Sequence, residues 1–215
     1  QYGLARAVGD INTALQVIGT AQTRHLVLAS GVMDMANGGL PFYGLTDRAF
    51  RQHCEQVGTL SMFVARTLQY GDLGLAYSAG ILHDMGKVAI NALVKTEIRV
   101  SAEMVADVVS TCDGHLDHVE YAFCRIDHAQ AGGELAELWH LPVELGRALA
   151  RHHTSLSEGE ERSLLACVTI ANALASALDP TYPPPNRIDT LPGSPAVDVA
   201  ALLEDARLYT VGSRQ

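Results

Sequence analysis

Six residues that make good metal ligands recur along this chain at wide spacing. They are His53, His83, Asp84, His128, His152 and His153. Imidazole and carboxylate groups together suit Fe, Mn, Zn or Ni, and a carboxylate beside a histidine can bridge two such ions. The set therefore predicts a site for one or two divalent transition-metal ions.

Helical periodicity places the first of these residues on buried helix faces. The pattern predicts a long helix over residues 46–70, with His53 on its apolar face. A second helix over residues 72–83 brings the His83-Asp84 pair out at its inner C-terminal end. Gly86 is predicted to let the chain turn beside the pair, because glycine adopts conformations that other residues avoid.

The remaining histidines fall on two later helices. Asp127 can cap a helix on which His128, Leu135 and Leu138 share one face. Pro142 suits the first turn of the next helix, which ends near His152-His153 and lets both rings lean inward.

The other elements are predicted more briefly. Two short helices are expected within residues 10–36, an amphipathic helix over 102–112, a loop over 113–117 before helix resumes, and an apolar helix over 163–178. The charge run 158–162 is interpreted as solvated, and the methionines as ordinary packing residues.

Composition supports an all-α fold of packed helices. The chain has 215 residues, of which 48% are apolar and only 18% charged. We expect one helical domain over residues 1–179. The Pro-rich segment and short terminal helix of 180–215 should pack on the same domain, with that helix over about 197–208.

Net charge and cysteine spacing indicate which classes of partner and which cellular compartment to expect. A formal net charge of −9 without a basic cluster argues against nucleic acid. No membrane span or export signal is visible. The four cysteines are far apart and form no CxxC pair, which is typical of a reducing, cytoplasmic setting.

A purely structural role for the inward histidines is the alternative to a metal site. A single inward histidine is more often a hydrogen-bonded core residue than a ligand. Five inward histidines and an aspartate are different, because each unpartnered polar group costs several kcal/mol to bury and one ion satisfies several. The solvated interpretation is favoured for the other four histidines, His25, His115, His118 and His140.

The ordered ligand set resembles the HD superfamily of helical metal-dependent phosphohydrolases. The finer context is similar to its HDOD branch, the HD-related output domains of bacterial signalling proteins. The resemblance covers most of residues 2–178 and includes these segments: Tyr2-Gly3 through Ile18-Gly19, Gly80-Ile81-Leu82-His83-Asp84, Asp127-His128-Ala129, Trp139-His140-Leu141-Pro142 and Ala171-Asn172-Ala173-Leu174-Ala175. It implies an HD-type helical bundle with the ligand set in a central cleft, here without the helices that normally precede Tyr2-Gly3.

The resemblance implies two metal positions bridged by Asp84. It gives His53 and His83 to the first position, and His128, His152 and His153 to the second. Active relatives complete the first position with an aspartate where this chain has Asn172, a poorer ligand. Lys87 matches a lysine that lies near substrate phosphate in the phosphodiesterase branch.

The function implied by this resemblance is a regulatory output domain, joined to an upstream receiver or sensory domain or acting through a signalling protein partner. Residues 154–160 lack the Gly-Tyr-Pro signature of cyclic-di-GMP phosphodiesterases, so that activity is not expected. The Pro-rich segment 180–195 is either a partner surface or a covering loop.

Two alternatives stay open. In the first, the chain is a metal-dependent phosphohydrolase acting on a nucleotide or phosphodiester, with Asp84 holding metal and Lys87 offsetting developing charge as its catalytic residues. In the second, it is a structural scaffold with an empty site.

Overall fold

The fold was taken from a computed structural model. It describes residues 13, 15–16, 19–98, 104, 107–108, 116–179 and 199–212. Across these residues the chain is helical, and the one strand-like pairing is an isolated bridge between Leu40 and Leu45. The all-α prediction is confirmed. The segments predicted at 102–112 and 180–195 lie wholly or largely outside the described residues.

The α-helices are α1 (Thr20–Met35), α2 (Asp47–Thr67), α3 (Leu73–Leu82), α4 (Met85–Leu93), α5 (Leu116–Cys124), α6 (His128–Leu138), α7 (Val143–Arg151), α8 (Leu164–Leu178) and α9 (Val199–Gly212). A 3₁₀ turn over Pro41–Tyr43 precedes α2, and a π-helical turn over Val94–Ile98 follows α4. None of these helices is both long and apolar enough to cross a membrane.

Side-chain caps start the helices that carry the candidate ligands. Thr46 accepts a hydrogen bond from the Ala49 amide at the start of α2. Asp72 and Asp127 cap α3 and α6 in the same way. These caps satisfy amide groups that have no partner inside the helix, so the predicted starts near these residues are confirmed.

Two glycines allow α2 and α3 to pack almost backbone to backbone. A Cβ atom added to Gly80 would lie 2.7 Å from the Cα atom of Gly58 and 2.6 Å from Ser61 Oγ. The close approach places the His53 and His83 rings 5.2 Å apart between centroids. Helix α8 packs against both α2 and α3 and is buried over most of its length.

Gly86 does not turn the chain as predicted. It lies in the first turn of α4, where a Cβ atom would meet the carbonyl oxygen of His128 at 1.9 Å and the amide nitrogen of Gly132 at 2.8 Å. Glycine is therefore needed here for close contact between α4 and α6, rather than for an unusual backbone conformation.

Several smaller predictions were also wrong. Leu116 already belongs to α5, where a loop was predicted. Leu138 is 70% exposed because α6 ends at this residue, and Ala136 fills the buried position in its last turn. Met35 is 64% exposed at the end of α1, and α9 runs from Val199 to Gly212.

The charge run at 158–162 is not fully solvated. Glu160 is only 9% exposed and accepts hydrogen bonds from the Ser157 amide and from Arg151 Nη1, each at 2.8 Å. Arg147 also pairs with this carboxylate. The Ser157 amide and the Arg151 guanidinium lower the pKa of Glu160 from 4.5 to about 2. The ion pairs of Glu160 with Arg147 and Arg151 tie the loop after α7 back onto that helix.

Replacing Gly86 by alanine should destabilise the fold by about 3 kcal/mol, because the clash is with backbone atoms that cannot rotate away. Gly31→Ala is the matched control: it also lies within a helix, but a Cβ atom there meets nothing within 4 Å. That variant should gain up to about 1 kcal/mol from helix propensity. Urea unfolding of both variants measures the difference, and equal midpoints would contradict the packing argument.

The Glu160 contacts predict a pH-dependent stability. Since the folded-state pKa lies below the usual 4.5, the contribution is fully present above pH 4.5 and is lost as the pH falls toward 2. The free energy of unfolding of Glu160→Gln should therefore lie below that of the wild type at pH 7, and the gap should narrow by pH 3. Glu158→Gln, at an exposed position, serves as the control. A gap independent of pH would show that Glu160 acts through packing alone.

Candidate metal centre

The Asp84 carboxylate lies at the centre of the site, fully buried between α3 and α4. Its Oδ2 atom is 2.6 Å from Lys87 Nζ, 3.4 Å from His83 Nε2 and 3.8 Å from His53 Nε2. Its other oxygen, Oδ1, is 3.4 Å from His128 Nε2 and 3.7 Å from His152 Nε2. Each oxygen thus faces its own group of side chains.

The two groups have the dimensions of metal sites. His53, His83 and Asp84 form one group, and the second is made of Asp84, His128, His152 and His153; within each, the potential ligand atoms lie within 4.8 Å of one another. Ligands held at metal-bond lengths of 2.0 to 2.2 Å around a tetrahedral ion are roughly 3.4 Å apart. The separations from the Asp84 oxygens to the imidazole nitrogens are close to that value.

Hydrogen bonds to main-chain carbonyls orient two of the rings. His83 Nδ1 lies 2.8 Å from the Gly80 oxygen, and His152 Nδ1 lies 2.6 Å from the Leu149 oxygen. Because a carbonyl can only accept, each Nδ1 must carry the proton, which leaves a lone pair on Nε2. Both Nε2 atoms are buried and lack a hydrogen-bond partner among the described residues. A cation at these positions would satisfy them, so the residues fit a bound metal ion.

Glu120 orients the His128 ring and was missed by the sequence reasoning. It lies fully buried on α5, and its carboxylate accepts hydrogen bonds from the backbone amide of His128 and from Nδ1 of the ring, both at 2.8 Å. The Nε2 atom of His128 therefore points away, 2.8 Å from His153 Nε2. A carboxylate behind a histidine commonly orients a metal ligand and increases its basicity.

The protonation states suit metal binding at neutral pH. Burial lowers the pKa of His152 to about 4, and holds the pKa values of His53 and His153 well below 6.5. Burial alone would raise the pKa of Asp84, but the neighbouring His83 and Lys87 hold it well below its ordinary value. Neutral imidazoles and an ionised carboxylate are the forms that ligate.

Asn172 and Lys87 both lie at the Oδ2 side of the centre. Asn172, on α8, is 1% exposed and lies close enough to His53 to oppose the lowering of that histidine's pKa. Its Oδ1 atom has no hydrogen-bond partner among the described residues. Lys87 is 3% exposed, with its ammonium on Asp84 rather than in solvent.

The structure thus brings together all of the predicted ligands, from α2, the α3–α4 junction, α6, the end of α7 and α8. The histidines expected to be solvated lie elsewhere: the His118 side chain is 65% exposed, and His140 is exposed. The side chains of His25 and His115 fall outside the described residues. Cys54 and Cys167 are buried free thiols, and Cys124 is a free thiol of intermediate exposure.

Comparison with known families identifies the fold. The HDOD domain matches residues 1–155, nearly three quarters of the sequence. The chain belongs to the HDOD family. The resemblance expected from the ordered His and Asp residues is confirmed.

Two solved structures share this fold. A crystal structure described as a candidate phosphohydrolase from Shewanella amazonensis SB2B is 25% identical and covers 94% of this chain and 73% of its own, with a TM-score of 0.67. An HDOD domain protein of unknown function from Geobacter sulfurreducens is 19% identical, with a TM-score of 0.57, and covers 97% of this chain and 66% of its own.

A curated relative is considerably longer than this chain. An uncharacterized protein from Treponema pallidum (strain Nichols) is 24% identical over 196 residues, which is 85% of this chain. The match spans about a third of that protein, 34% of its length.

The contact between Glu120 and His128 predicts a loss of metal affinity on substitution. Glu120→Gln keeps the shape but can accept only through its single amide oxygen, so we expect binding of Zn²⁺ or Mn²⁺ to weaken by about 10-fold to 100-fold. Calorimetric titration measures this, with circular dichroism to check the fold. Glu134→Gln, on the exposed face of α6, is the matched control. Unchanged affinity in a folded Glu120→Gln protein would remove this residue from the centre.

Proposed function

We propose that this chain is a regulatory output domain of HDOD type that binds a divalent transition-metal ion at Asp84, His128, His152 and His153. The observation that carries the proposal is the convergence of these side chains at metal-ligand spacing, with the His152 Nε2 atom buried and lacking a hydrogen-bond partner within the described part of the chain. Imidazole and carboxylate ligands suit Fe, Mn, Zn or Ni. In this proposal the ion stabilises one conformation that a partner recognises.

Three features argue against hydrolysis of cyclic-di-GMP. The position of a first-site carboxylate in active HD enzymes is occupied here by the neutral Asn172. The segment after His153 reads Thr154-Ser155-Leu156-Ser157-Glu158-Gly159-Glu160, without Gly-Tyr-Pro. The site itself is also deeply buried, with Asp84 and His152 both 0% exposed, which limits access of a bulky dinucleotide.

The partner in this proposal is a signalling protein, or a receiver or sensory domain of a longer chain. The net charge of −9 disfavours a phosphate backbone as partner. The relative from Treponema pallidum is about three times as long as the segment it shares with this chain, which leaves room for such domains in that protein. The free thiols support a reducing, cytoplasmic setting for the chain.

A metal-dependent phosphohydrolase is the second candidate. The similarity to the Shewanella amazonensis structure, described as a candidate phosphohydrolase, favours it. A bound ion would supply Lewis acidity toward a phosphoryl oxygen. Asp84 would hold the ion, the Nδ1 hydrogen bonds would keep the imidazoles oriented, and Lys87 would contribute positive charge beside the reacting phosphate.

Metal content and hydrolysis together test the proposal. Protein purified without chelator or a nickel column should carry a transition metal by mass spectrometry. His128→Ala should lose that ion and unfold at a lower temperature. A bound ion whose free concentration is 100 times its Kd stabilises the folded state by about 2.7 kcal/mol, and the variant would lose this contribution. His118→Ala, which changes an exposed histidine, is the control. None of the three proteins, wild type, His128→Ala or His118→Ala, should hydrolyse cyclic-di-GMP or a simple phosphodiester.

Full metal occupancy in His128→Ala would overturn the proposed ligand set. Hydrolysis by the wild type that disappears in His128→Ala, but not in His118→Ala, would instead support the phosphohydrolase.

A further inference from the structure

The position on the Oδ2 side of Asp84 already has a cation. Lys87 Nζ is 2.6 Å from this oxygen, closer than the His83 and His53 nitrogens at 3.4 and 3.8 Å. The ammonium is buried, with the lysine 3% exposed. By contrast, the two nearest nitrogens at the Oδ1 side of the carboxylate belong to histidines, His128 and His152.

We propose that the Lys87 ammonium takes the place of the first metal ion, so that the folded chain holds a mononuclear centre with Asp84 binding through Oδ1 alone. The inference deepens the proposed function and rests on it for the ion at the second position. Lys87 then acts as a fixed internal cation rather than as a group that contacts substrate.

The charges around the first position favour an ammonium over a divalent ion. The described groups there are two imidazoles, the Asn172 amide and a share of one carboxylate. Asp84 also serves the ion proposed for the second position, so its single negative charge is already shared. An ammonium at the first position adds one positive charge fewer to this buried centre than a second divalent ion would. The carboxylate that active relatives place at position 172 is the charge that this chain lacks.

Local geometry keeps Lys87 at this position. It follows Asp84 by three residues in the first turn of α4, and its backbone amide donates to the Asp84 carbonyl at 2.9 Å. Residues three apart on a helix are neighbours, so the ammonium competes with a free ion from within the same turn. An ion at the first position would have to displace this ammonium and approach Asp84 against its charge.

The test isolates the first position by using His128→Ala as the background, because this change removes a ligand of the second position only. In that background, Lys87→Met with Asn172→Asp should bind about one Mn²⁺ per chain. Lys87→Arg with Asn172→Asp retains the positive charge and should bind none. Both are measured by mass spectrometry after dialysis and by the shift of the melting temperature on addition of Mn²⁺, with circular dichroism as the check of folding.

A second experiment counts the bound Mn²⁺ ions in the chain with His128 intact. Wild type should give the electron paramagnetic resonance spectrum of an isolated Mn²⁺ ion, and Lys87→Met with Asn172→Asp should give that of a coupled pair. A coupled pair in the wild type would overturn the inference. This measurement does not depend on the folding of any variant. Equal Mn²⁺ binding by the Met and Arg variants would also overturn it.

Failure of the proposed function is a separate result. If the wild type binds no Mn²⁺ but the Met variant in the His128→Ala background binds one, the second position is wrong and the role of Lys87 is supported. If the wild type binds one ion and neither variant binds at the first position, the regulatory metal site is supported and the role of Lys87 is rejected.

Discussion

Burial of one ionised carboxylate constrains the centre of this protein. Asp84 is fully enclosed, and a carboxylate without compensation would cost several kcal/mol there. Its charge is retained because Lys87 and the surrounding imidazoles lower its pKa. The helices that supply these groups must therefore meet at one point, and much of their packing can be understood from that requirement.

Small residues make this convergence possible. Gly58 and Gly80 allow α2 and α3 to approach closely, and Gly86 allows α4 to lie against the start of α6. At the start of α6, Glu120 joins the His128 amide and ring to α5. The polar centre and the apolar packing are thus parts of one arrangement, since a larger side chain at Gly80 or Gly86 would meet backbone atoms and separate the ligands.

Local signals in the sequence were sufficient to predict much of the fold and which residues converge. Capping residues such as Thr46, Asp72 and Asp127 act on their own helix, and apolar periodicity assigns His53 and His128 to inner faces. Periodicity failed where a helix ends, as at Leu138, which is exposed while Ala136 takes the buried position of the last turn.

Contacts between distant segments could not be predicted in the same way. Glu120 is a charged residue on a short helix, and only the position of His128, eight residues later, explains its burial. Glu160 likewise depends on two arginines of the preceding helix, and Gly86 on a carbonyl of α6. A run of charges or a lone glycine suggests solvent or a turn until the partner is known. The hydrogen bonds that orient His83 and His152 could not be predicted from the sequence either, because their acceptors are main-chain oxygens.

The enclosure of the centre also affects how quickly it can respond. His83, Asp84 and His152 are each 0% exposed, and His128 is 1% exposed. An ion held as proposed would exchange with solvent past His153, whose exposure is intermediate, or during local opening of the fold. Local opening is much slower than diffusion of an ion to an open site, so the packing of the helices would set the rate of exchange. A change in the surrounding metal concentration would then alter the occupancy only after a delay.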